Sequence, residues 1–351
     1  RAAREAIDRY GTSCTGSRLL NGNIELHETL ERELAEHVGK ERALVFASGF
    51  LANLGSVGQL SSAKGSAVFS DRENHASLIE GTRMGRGNVF IYDDLDHLER
   101  LLAEQPSWEN ALLVTDAVFS MTGRVADLPR LAALKRKFGF RLYIDDAHGI
   151  GVLGERGSGS SAGAGVTDDV DLIFGTFSKA LASMGGFVAG DRVIIDYLRH
   201  KARTLVFSAA LTPSATASAL AALRVMRSDA NLFAKLWENV EFFRNGIESI
   251  GYFTMGSRMP IIPLFIGSES LAFRVCKEAL DAGVFTTPVV HPAVPLGQAL
   301  IRTSIMPSHE REHMEQALDV FEVIARRHAI PMGLTTQSLP RADAMDFSYL
   351  Q

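Results

Sequence analysis

The sequence is poor in cysteine and contains no long hydrophobic run. Its two cysteines, Cys14 and Cys276, are too few and too far apart for a disulfide framework or a zinc site, as is typical of a reducing cytoplasm. No apolar stretch is long enough to cross a bilayer, and the first residues lack the pattern of a signal peptide. A net charge of −5 over 351 residues is too mild to favour a nucleic-acid surface. We therefore expect a cytoplasmic protein with no metal site, no transmembrane segment and no nucleic-acid partner.

Seven short apolar runs alternate with helical patterns in the first two thirds of the chain. Such alternation predicts a mostly parallel seven-stranded sheet that is covered by helices on both faces. The runs are RALVFAS (42–48), SAVFS (66–70), NVFIY (88–92), ALLVTDAVF (111–119), RLYIDD (141–146), DLIFGT (171–176) and GGFVAG (185–190).

The pattern of the chain changes after about residue 213. Long helical patterns at 213–228 and 231–249 precede short strands and two further helices at 269–283 and 309–328. We predict four parts: an N-terminal segment (1–40), a large domain (41–228), a smaller α+β domain (229–330) and a tail (331–351). The opening RAAREAIDRYG is helical without a start signal, so we expect the natural polypeptide to begin further upstream.

Polar residues cluster where the predicted strands end. Each could be a helix cap or a buried group with satisfied hydrogen bonds, but together they bring a lysine, an acid, two histidines and several hydroxyls to one edge of the sheet. Ligands bind at that edge in sheets of this kind. The candidates are Ser48, Gly49, Phe50, His75, Ser120, Asp145, His148, Thr176, Ser178 and Lys179.

This set of residues suits pyridoxal phosphate. A partly desolvated lysine has a lowered pKa and can form a Schiff base, so Lys179 is the candidate attachment point. Asp145 could keep the ring nitrogen protonated, and His75 could stack on the ring. A helix beginning at Ser48-Gly49, together with Thr176, could bind the phosphate.

Eight motifs in one order make the chain resemble the α-oxoamine synthases, which are fold type I, aspartate aminotransferase-like pyridoxal-phosphate enzymes. They are YGTSCTGSRLLNGNIELHETLE, SGFLANLG, NHASLIEG, VFSMTG, IDDAHGIGVLG, TFSKALASMGG, FSAALTPS and PAVPLGQALIRTSIMPSH. The resemblance covers most of residues 10–328. It implies a homodimer with its active sites at the subunit interface.

The resemblance also implies the roles of the residues around the cofactor ring. Lys179 would carry the cofactor and remove the Cα proton of the substrate, and Asp145 would pair with the ring nitrogen. His148 and Ser120 would lie near the 3′-oxygen of the ring. His75 would stack on the ring and help to hold the substrate carboxylate.

The remaining implied roles concern the phosphate and the substrate. Backbone at Gly49 and Phe50 and the hydroxyl of Thr176 would bind the phosphate, and Ser208 would reach it from the partner subunit. Arg302 matches the family's arginine that grips the carboxylate of the amino acid, where a planar fork suits a planar anion. Outside this motif, a surface salt bridge would be the simpler role for Arg302.

The implied reaction is a decarboxylating Claisen condensation of an amino acid with an acyl thioester. CTGSRLLNG and HPAVP resemble bacterial serine palmitoyltransferases, which favours L-serine, a long-chain acyl-CoA and 3-oxosphinganine as product. The alternative is an enzyme of the 8-amino-7-oxononanoate synthase type, or one of natural-product biosynthesis, which uses alanine or glycine and a CoA or carrier-protein thioester. Val290 stands where several members have a second arginine, which keeps this alternative open.

Two further functions are alternatives to these synthases. A fold type I aminotransferase would share Lys179 and Asp145, but it would exchange amino groups with a 2-oxo acid and release no thiol. A non-catalytic scaffold subunit would lack the lysine, so the presence of Lys179 argues against it.

Overall fold

The computed structural model describes residues 1–104, 108–328 and 330–334. The chain forms two compact units. The first consists of residues 1–119 and 125–230, and the second of residues 120–124 together with the described chain from 231 onward. The predicted N-terminal segment 1–40 therefore belongs to the first unit, and most of the predicted tail, 335–351, lies outside the described residues.

The first unit is built on a seven-stranded sheet, which confirms the predicted fold class. Its strand order is β1-β7-β6-β5-β4-β2-β3, and only β7 runs antiparallel to its neighbours. The strands are β1 (Arg42–Phe46), β2 (Ala67–Asp71), β3 (Asn88–Tyr92), β4 (Ala111–Asp116), β5 (Arg141–Asp145), β6 (Leu172–Thr176) and β7 (Gly186–Gly190).

Ten α-helices belong to the first unit within the described residues. They are α1 (Ala2–Tyr10), α2 (Glu25–His37), α3 (Gly49–Leu60), α4 (Ala76–Met84), α5 (Leu95–Glu104), α6 (Leu128–Phe138), α7 (Ser160–Gly163), α8 (Arg192–Lys201), α9 (Arg203–Val206) and α10 (Pro213–Ser228).

The fourth strand is shorter than its apolar run suggests. Residues 111–119 were predicted as one strand, but β4 ends at Asp116, level with Asp145 at the end of β5. The N–H of Ala117 then bonds to the carbonyl of Asp145, and Val118 pairs with Val125 in a separate bridge. Because β5 offers no further backbone partner, the chain leaves the sheet here.

Helices α3 and α4 lie close together because both are rich in small residues. A Cβ placed on Gly81 of α4 would lie 2.9 Å from the Val57 side chain of α3, and one on Gly58 would lie 2.8 Å from Met84. Leu44, Val68 and Val114 are fully buried in the core between the sheet and its helices. Close packing of this kind fixes where the first residues of both helices stand.

The second unit contains a three-stranded antiparallel sheet in the order β8-β10-β9. Its elements are α11 (Asn231–Ile250), β8 (Ile261–Gly267), α12 (Glu269–Asp281), β9 (Thr287–Val289), β10 (Ala299–Ser304) and α13 (Arg311–Arg327). These helices and strands confirm the α+β character predicted for this part of the chain.

Candidate active site

The candidate residues of the first unit stand at the carboxyl edge of its sheet. Asp116 ends β4, Asp145 ends β5 and Thr176 ends β6, while Lys179 lies in the nine-residue connection from β6 to β7. Ligands bind at this edge in sheets with parallel strands.

Asp145 is a buried carboxylate whose two oxygens are both bonded. It is 3% exposed. Oδ1 accepts the N–H of Ala147 at 3.0 Å, and Oδ2 accepts Nδ2 of Asn53 at 2.6 Å. Burial raises the pKa of Asp145, while these two donors and the charges of His75 and Lys179 act in the opposite direction. A positive charge placed beside this carboxylate would favour its ionised form.

His75 is the N-terminal cap of α4. Its Nδ1 lies 2.8 Å from Oγ of Ser77 and accepts the backbone N–H of Ser77 at 3.3 Å. Its own backbone N–H donates to Oδ2 of Asp116 at 2.7 Å. Desolvation lowers the pKa of His75, Asp145 raises it and Lys179 lowers it, so the imidazole is poised to be neutral near pH 7.

Asp116 is a second buried acid, and no sequence pattern singled it out. Besides binding His75, it is held by Asn74, whose Oδ1 accepts the Asp116 N–H at 2.9 Å. Burial first and the Asp145 charge second raise its pKa well above the usual value. Because two negative charges in the same buried region repel each other, the raised pKa of Asp116 leaves Asp145 the better placed of the two to be ionised.

The first turn of α3 and the end of β6 form a cradle around Gly49. Ser48 caps the helix by accepting the Leu51 N–H, as the predicted helix start at this position requires. A Cβ on Gly49 would lie 2.8 Å from Oγ1 of Thr176, so only glycine leaves room there. Thr176 also lies 3.0 Å from the Ser178 hydroxyl. A helix N-terminus with hydroxyl groups beside it is suited to bind an anion.

Lys179 is exposed, whereas the sequence led us to expect a partly desolvated lysine. Its loop is nevertheless ordered by short backbone bonds, from Ala182 N–H to the Lys179 carbonyl and from Ser183 N–H to the Phe177 carbonyl. The ammonium charge acts on His75, Asp116 and Asp145, since it lowers the pKa of each. The lysine therefore belongs to the same electrostatic cluster as the buried acids.

Ser120 and Arg302 meet in the second unit. Nε of Arg302 donates to the Ser120 carbonyl at 2.7 Å, and Nη1 donates to Oγ of Ser304 at 2.7 Å. Burial lowers the pKa of Arg302, and its planar group is fixed by these two bonds. Among the described residues, the arginine is held by hydrogen bonds to a carbonyl and a hydroxyl and forms no salt bridge.

The remaining candidates lie in two loops and one helix of the first unit. His148 is half-buried in the turn after β5, and Ser208 is half-buried just after α9. Phe50, in the first turn of α3, keeps 44% of its surface exposed.

Three buried residues around Asp145 escaped the sequence analysis. Asn53, Ser77 and Tyr143 hydrogen-bond to one another or to the candidates. Of these three, only Asn53 could have been noticed in the sequence, as the one amide side chain in GFLANLGSVG, a stretch of mainly apolar and small residues.

The described ranges contain neither a candidate membrane span nor a candidate metal cluster. Within residues 1–104, 108–328 and 330–334, no helix is long and apolar enough to cross a membrane. In the same ranges, no group of three or more His, Cys, Asp or Glu side chains is arranged to hold a metal ion.

Comparison with known proteins gives a consistent result. Residues 1–321 match the family Aminotransferase class I and II. A serine palmitoyltransferase from Bacteriovorax stolpii is 46% identical over 95% of this chain and 80% of its own length. An 8-amino-7-oxononanoate synthase from Thermoanaerobacter pseudethanolicus is 39% identical over 93% of this chain and 83% of its own length.

A solved structure agrees with these relatives. A lysine-to-alanine variant of a serine palmitoyltransferase from S. paucimobilis, with a bound PLP–myriocin aldimine, superposes with a TM-score of 0.89 at 29% identity, covering 93% of this chain and 83% of that one.

Proposed function

Because the chain belongs to the aminotransferase class I and II family, and within it to the α-oxoamine synthases, we propose that it condenses L-serine with a long-chain acyl-CoA, releasing CO2 and the thiol. The product would be 3-oxosphinganine. The observation that carries this proposal is the 46% identity to a serine palmitoyltransferase over 95% of the chain.

The residues of the first unit fit pyridoxal phosphate, the cofactor of this family. The Gly49 cradle offers a helix N-terminus and the Thr176 hydroxyl to a phosphate, and it would be closed by any Cβ at position 49. Asp145 offers a buried carboxylate with fixed oxygens to a protonated ring nitrogen. Lys179 lies in the connection from β6 to β7 of the same sheet and offers the amine that would hold the cofactor.

We assign each residue a task in the reaction. Bound pyridoxal phosphate accepts the electron pair that is released when the Cα–H bond of the amino acid breaks. Lys179 would take that proton, and Asp145 would keep the ring nitrogen protonated. His75 would stack on the ring and help Arg302 to bind the substrate carboxylate. His148 and Ser120 bind near the 3′-oxygen, while Ser48, Gly49, Phe50 and Thr176 hold the phosphate.

We also propose that the enzyme is a cytoplasmic homodimer, to which Ser208 contributes across the interface. Leu20, Met184 and Phe207 are apolar side chains that are 82%, 68% and 74% exposed in the single chain. The N–H of Ala210 bonds to the carbonyl of Gly16, which ties the loop after α9 to the loop that carries Leu20. Covering these apolar side chains with a second copy would stabilise them.

We propose that the large domain (41–228) and the small domain (229–330) bind different parts of the reacting system. The large domain would bind the cofactor, and the small domain would bind the amino acid through Arg302.

The second candidate is a related synthase that uses alanine or glycine with a different acyl thioester. The 39% identity to an 8-amino-7-oxononanoate synthase and the Val290 position favour keeping it.

Thiol release by the cofactor-loaded protein separates the two candidates. Serine, alanine and glycine would each be paired with palmitoyl-CoA and with a short acyl-CoA. Release with serine and palmitoyl-CoA alone is the expected result. Release with alanine or glycine, or with short chains only, would replace the first candidate by the second. Amino-group exchange with a 2-oxo acid and no thiol release would contradict both.

A further inference from the structure

A continuous set of buried hydrogen bonds joins His75 to Asp145, the two residues assigned to the cofactor ring. At its centre is Asn53 of α3, which is fully buried. Nδ2 of Asn53 donates to Oδ2 of Asp145 at 2.6 Å and to Oγ of Ser77 at 2.9 Å. The Tyr143 hydroxyl, which is also fully buried, donates to Oδ1 of Asn53 at 2.8 Å.

The orientation of the Asn53 amide follows from its partners. A flipped amide would turn its oxygen toward the Asp145 carboxylate, and two acceptors would then face each other in a buried place. Tyr143 adds a donor on the opposite side, where only the oxygen can accept it. The two N–H groups of Asn53 are therefore directed at Asp145 and Ser77.

The groups around Ser77 fix the position of its hydroxyl proton. Oγ of Ser77 accepts a hydrogen from Asn53 and lies 2.8 Å from Nδ1 of His75. Because the backbone N–H of Ser77 already points at Nδ1, that nitrogen presents its lone pair, and the Ser77 hydroxyl donates to it as well. The backbone N–H of Ser77 donates to the same nitrogen at 3.3 Å. A nitrogen that accepts two hydrogen bonds carries no proton, so the neutral imidazole carries its hydrogen on Nε2.

We propose that Asn53 is a positioning residue that serves both sides of the cofactor: it fixes the Asp145 carboxylate directly, and through Ser77 it fixes His75 as the Nε2–H tautomer. This inference rests on the proposed function, because it assigns both residues to the cofactor and substrate. His75 then presents an N–H donor, suited to a substrate carboxylate, rather than a lone pair. Hydrogen bonds in such a series polarise and strengthen one another.

The tautomer can be measured without the cofactor. Long-range 1H–15N correlation on the full chain, labelled with 15N-histidine and freed of cofactor, reports which ring nitrogen of each neutral histidine is protonated. The His75 signals are assigned by their absence from the spectrum of His75→Asn. In the unmodified chain we expect only the Nε2–H pattern for His75.

Two variants separate the branches of the network. Ser77→Ala should make the Nδ1–H tautomer of His75 detectable, since the loss of one hydrogen bond shifts the ratio of the two tautomers by roughly tenfold. The dissociation constant of pyridoxal phosphate should stay within about twofold of that of the unmodified chain. Asn53→Leu should shift the tautomer in the same direction and also raise that dissociation constant by roughly tenfold, because Asp145 loses a donor.

Ser66→Ala is the matched control. Ser66 is 2% exposed, in the same unit, and its hydroxyl has no hydrogen-bond partner among the described residues. The variant should leave the His75 spectrum unchanged. An unmodified chain with both tautomers, or a Ser77→Ala spectrum equal to that of Ser66→Ala, would overturn the inference. Neither result depends on thiol release, so a failure of the proposed function would be seen separately.

Discussion

At the scale of single residues, the buried carboxyl group of Asp146 makes the stability of the fold depend on pH. Asp146 is fully buried beside Ser160, whose N–H and hydroxyl donate to it at 2.7 and 2.5 Å. Burial is the main cause that raises the pKa of Asp146 to about 7 from its usual value of 3.8. The folded chain therefore keeps this proton at pH values at which the unfolded chain has lost it.

The sign of the effect follows from this difference. Between about pH 4 and 7 the folded state binds more protons at this position, so the free energy of unfolding falls as the pH rises. Across that window the contribution of Asp146 amounts to about 4 kcal/mol. The side chain of Asp146→Asn carries no charge at any of these pH values. The variant should therefore lack this part of the fall in the free energy of unfolding.

Melting temperatures of the unmodified chain and of Asp146→Asn between pH 5 and 8 provide the test. The two curves should converge toward pH 5 and separate toward pH 8, where the variant is the more stable. Asp8→Asn, the same chemical change at an exposed position of α1, should run parallel to the unmodified chain. Parallel curves for Asp146→Asn as well would show that the carboxyl group ionises freely in the fold.

At the scale of an element, the N-terminus of α3 should set the affinity for the cofactor phosphate. Gly49→Ala would place a Cβ 2.8 Å from Oγ1 of Thr176 and 3.2 Å from the Phe174 ring. We expect the dissociation constant of pyridoxal phosphate to rise about 10- to 100-fold, because one or two charge-assisted hydrogen bonds are displaced.

The cofactor affinity is measured by titration of the cofactor-free protein and followed by absorbance. Gln59→Ala, at the far end of the same helix, is the control and should bind the cofactor normally. A melting temperature in the absence of cofactor shows whether each variant is folded. An unchanged affinity in folded Gly49→Ala would mean that the phosphate is bound elsewhere.

The sequence predicted elements well where a pattern is local. Each of the seven strands begins within a residue of its apolar run, because a run of β-branched and aromatic residues bounded by turn residues favours a buried strand wherever it is placed. The end of β4 escaped prediction because it depends on where β5 stops offering partners, which no local pattern encodes.

The residues of the candidate site also include some that a local pattern predicts and some that it does not. Residues at the end of a strand, such as Asp145, or shortly after one, such as Lys179, could be selected because the carboxyl ends of parallel strands share one edge of the sheet. Asn53 bonds to Asp145 across 92 positions of sequence, and Asp116 to His75 across 41. Those contacts depend on how α3 and α4 pack on the sheet, so sequence patterns alone did not identify them.

At the scale of the whole molecule, a shared active site predicts that two inactive chains can restore each other. Lys179→Ala removes the amine of one chain, and Ser208→Asp places a negative charge where the partner's phosphate is proposed to bind. In a mixed dimer one site combines both defects, and the other combines the intact Lys179 of one chain with the intact Ser208 of the other.

Random exchange of equal amounts of the two variants gives mixed dimers in half of the population, so about one quarter of all sites should be intact. Thiol release should therefore recover to about 25% of the unmodified rate after the subunits are exchanged, and neither variant alone should show it. No recovery, with subunit exchange confirmed by a mass-tagged chain, would place Ser208 beside the phosphate of its own chain or away from it.

The strand order of the large sheet has a consequence for the order of events during synthesis. Among the described strands, β1 pairs only with β7, although about 140 residues of chain separate them. The first strand to leave the ribosome must therefore wait for the last, and it joins the sheet when the hairpin of β6 and β7 closes. Lys179 lies in that hairpin. The step that completes the sheet is thus the step that brings Lys179 to the edge where Asp116 and Asp145 lie, so we expect a nascent chain to complete its proposed cofactor site only after β7 has joined the sheet.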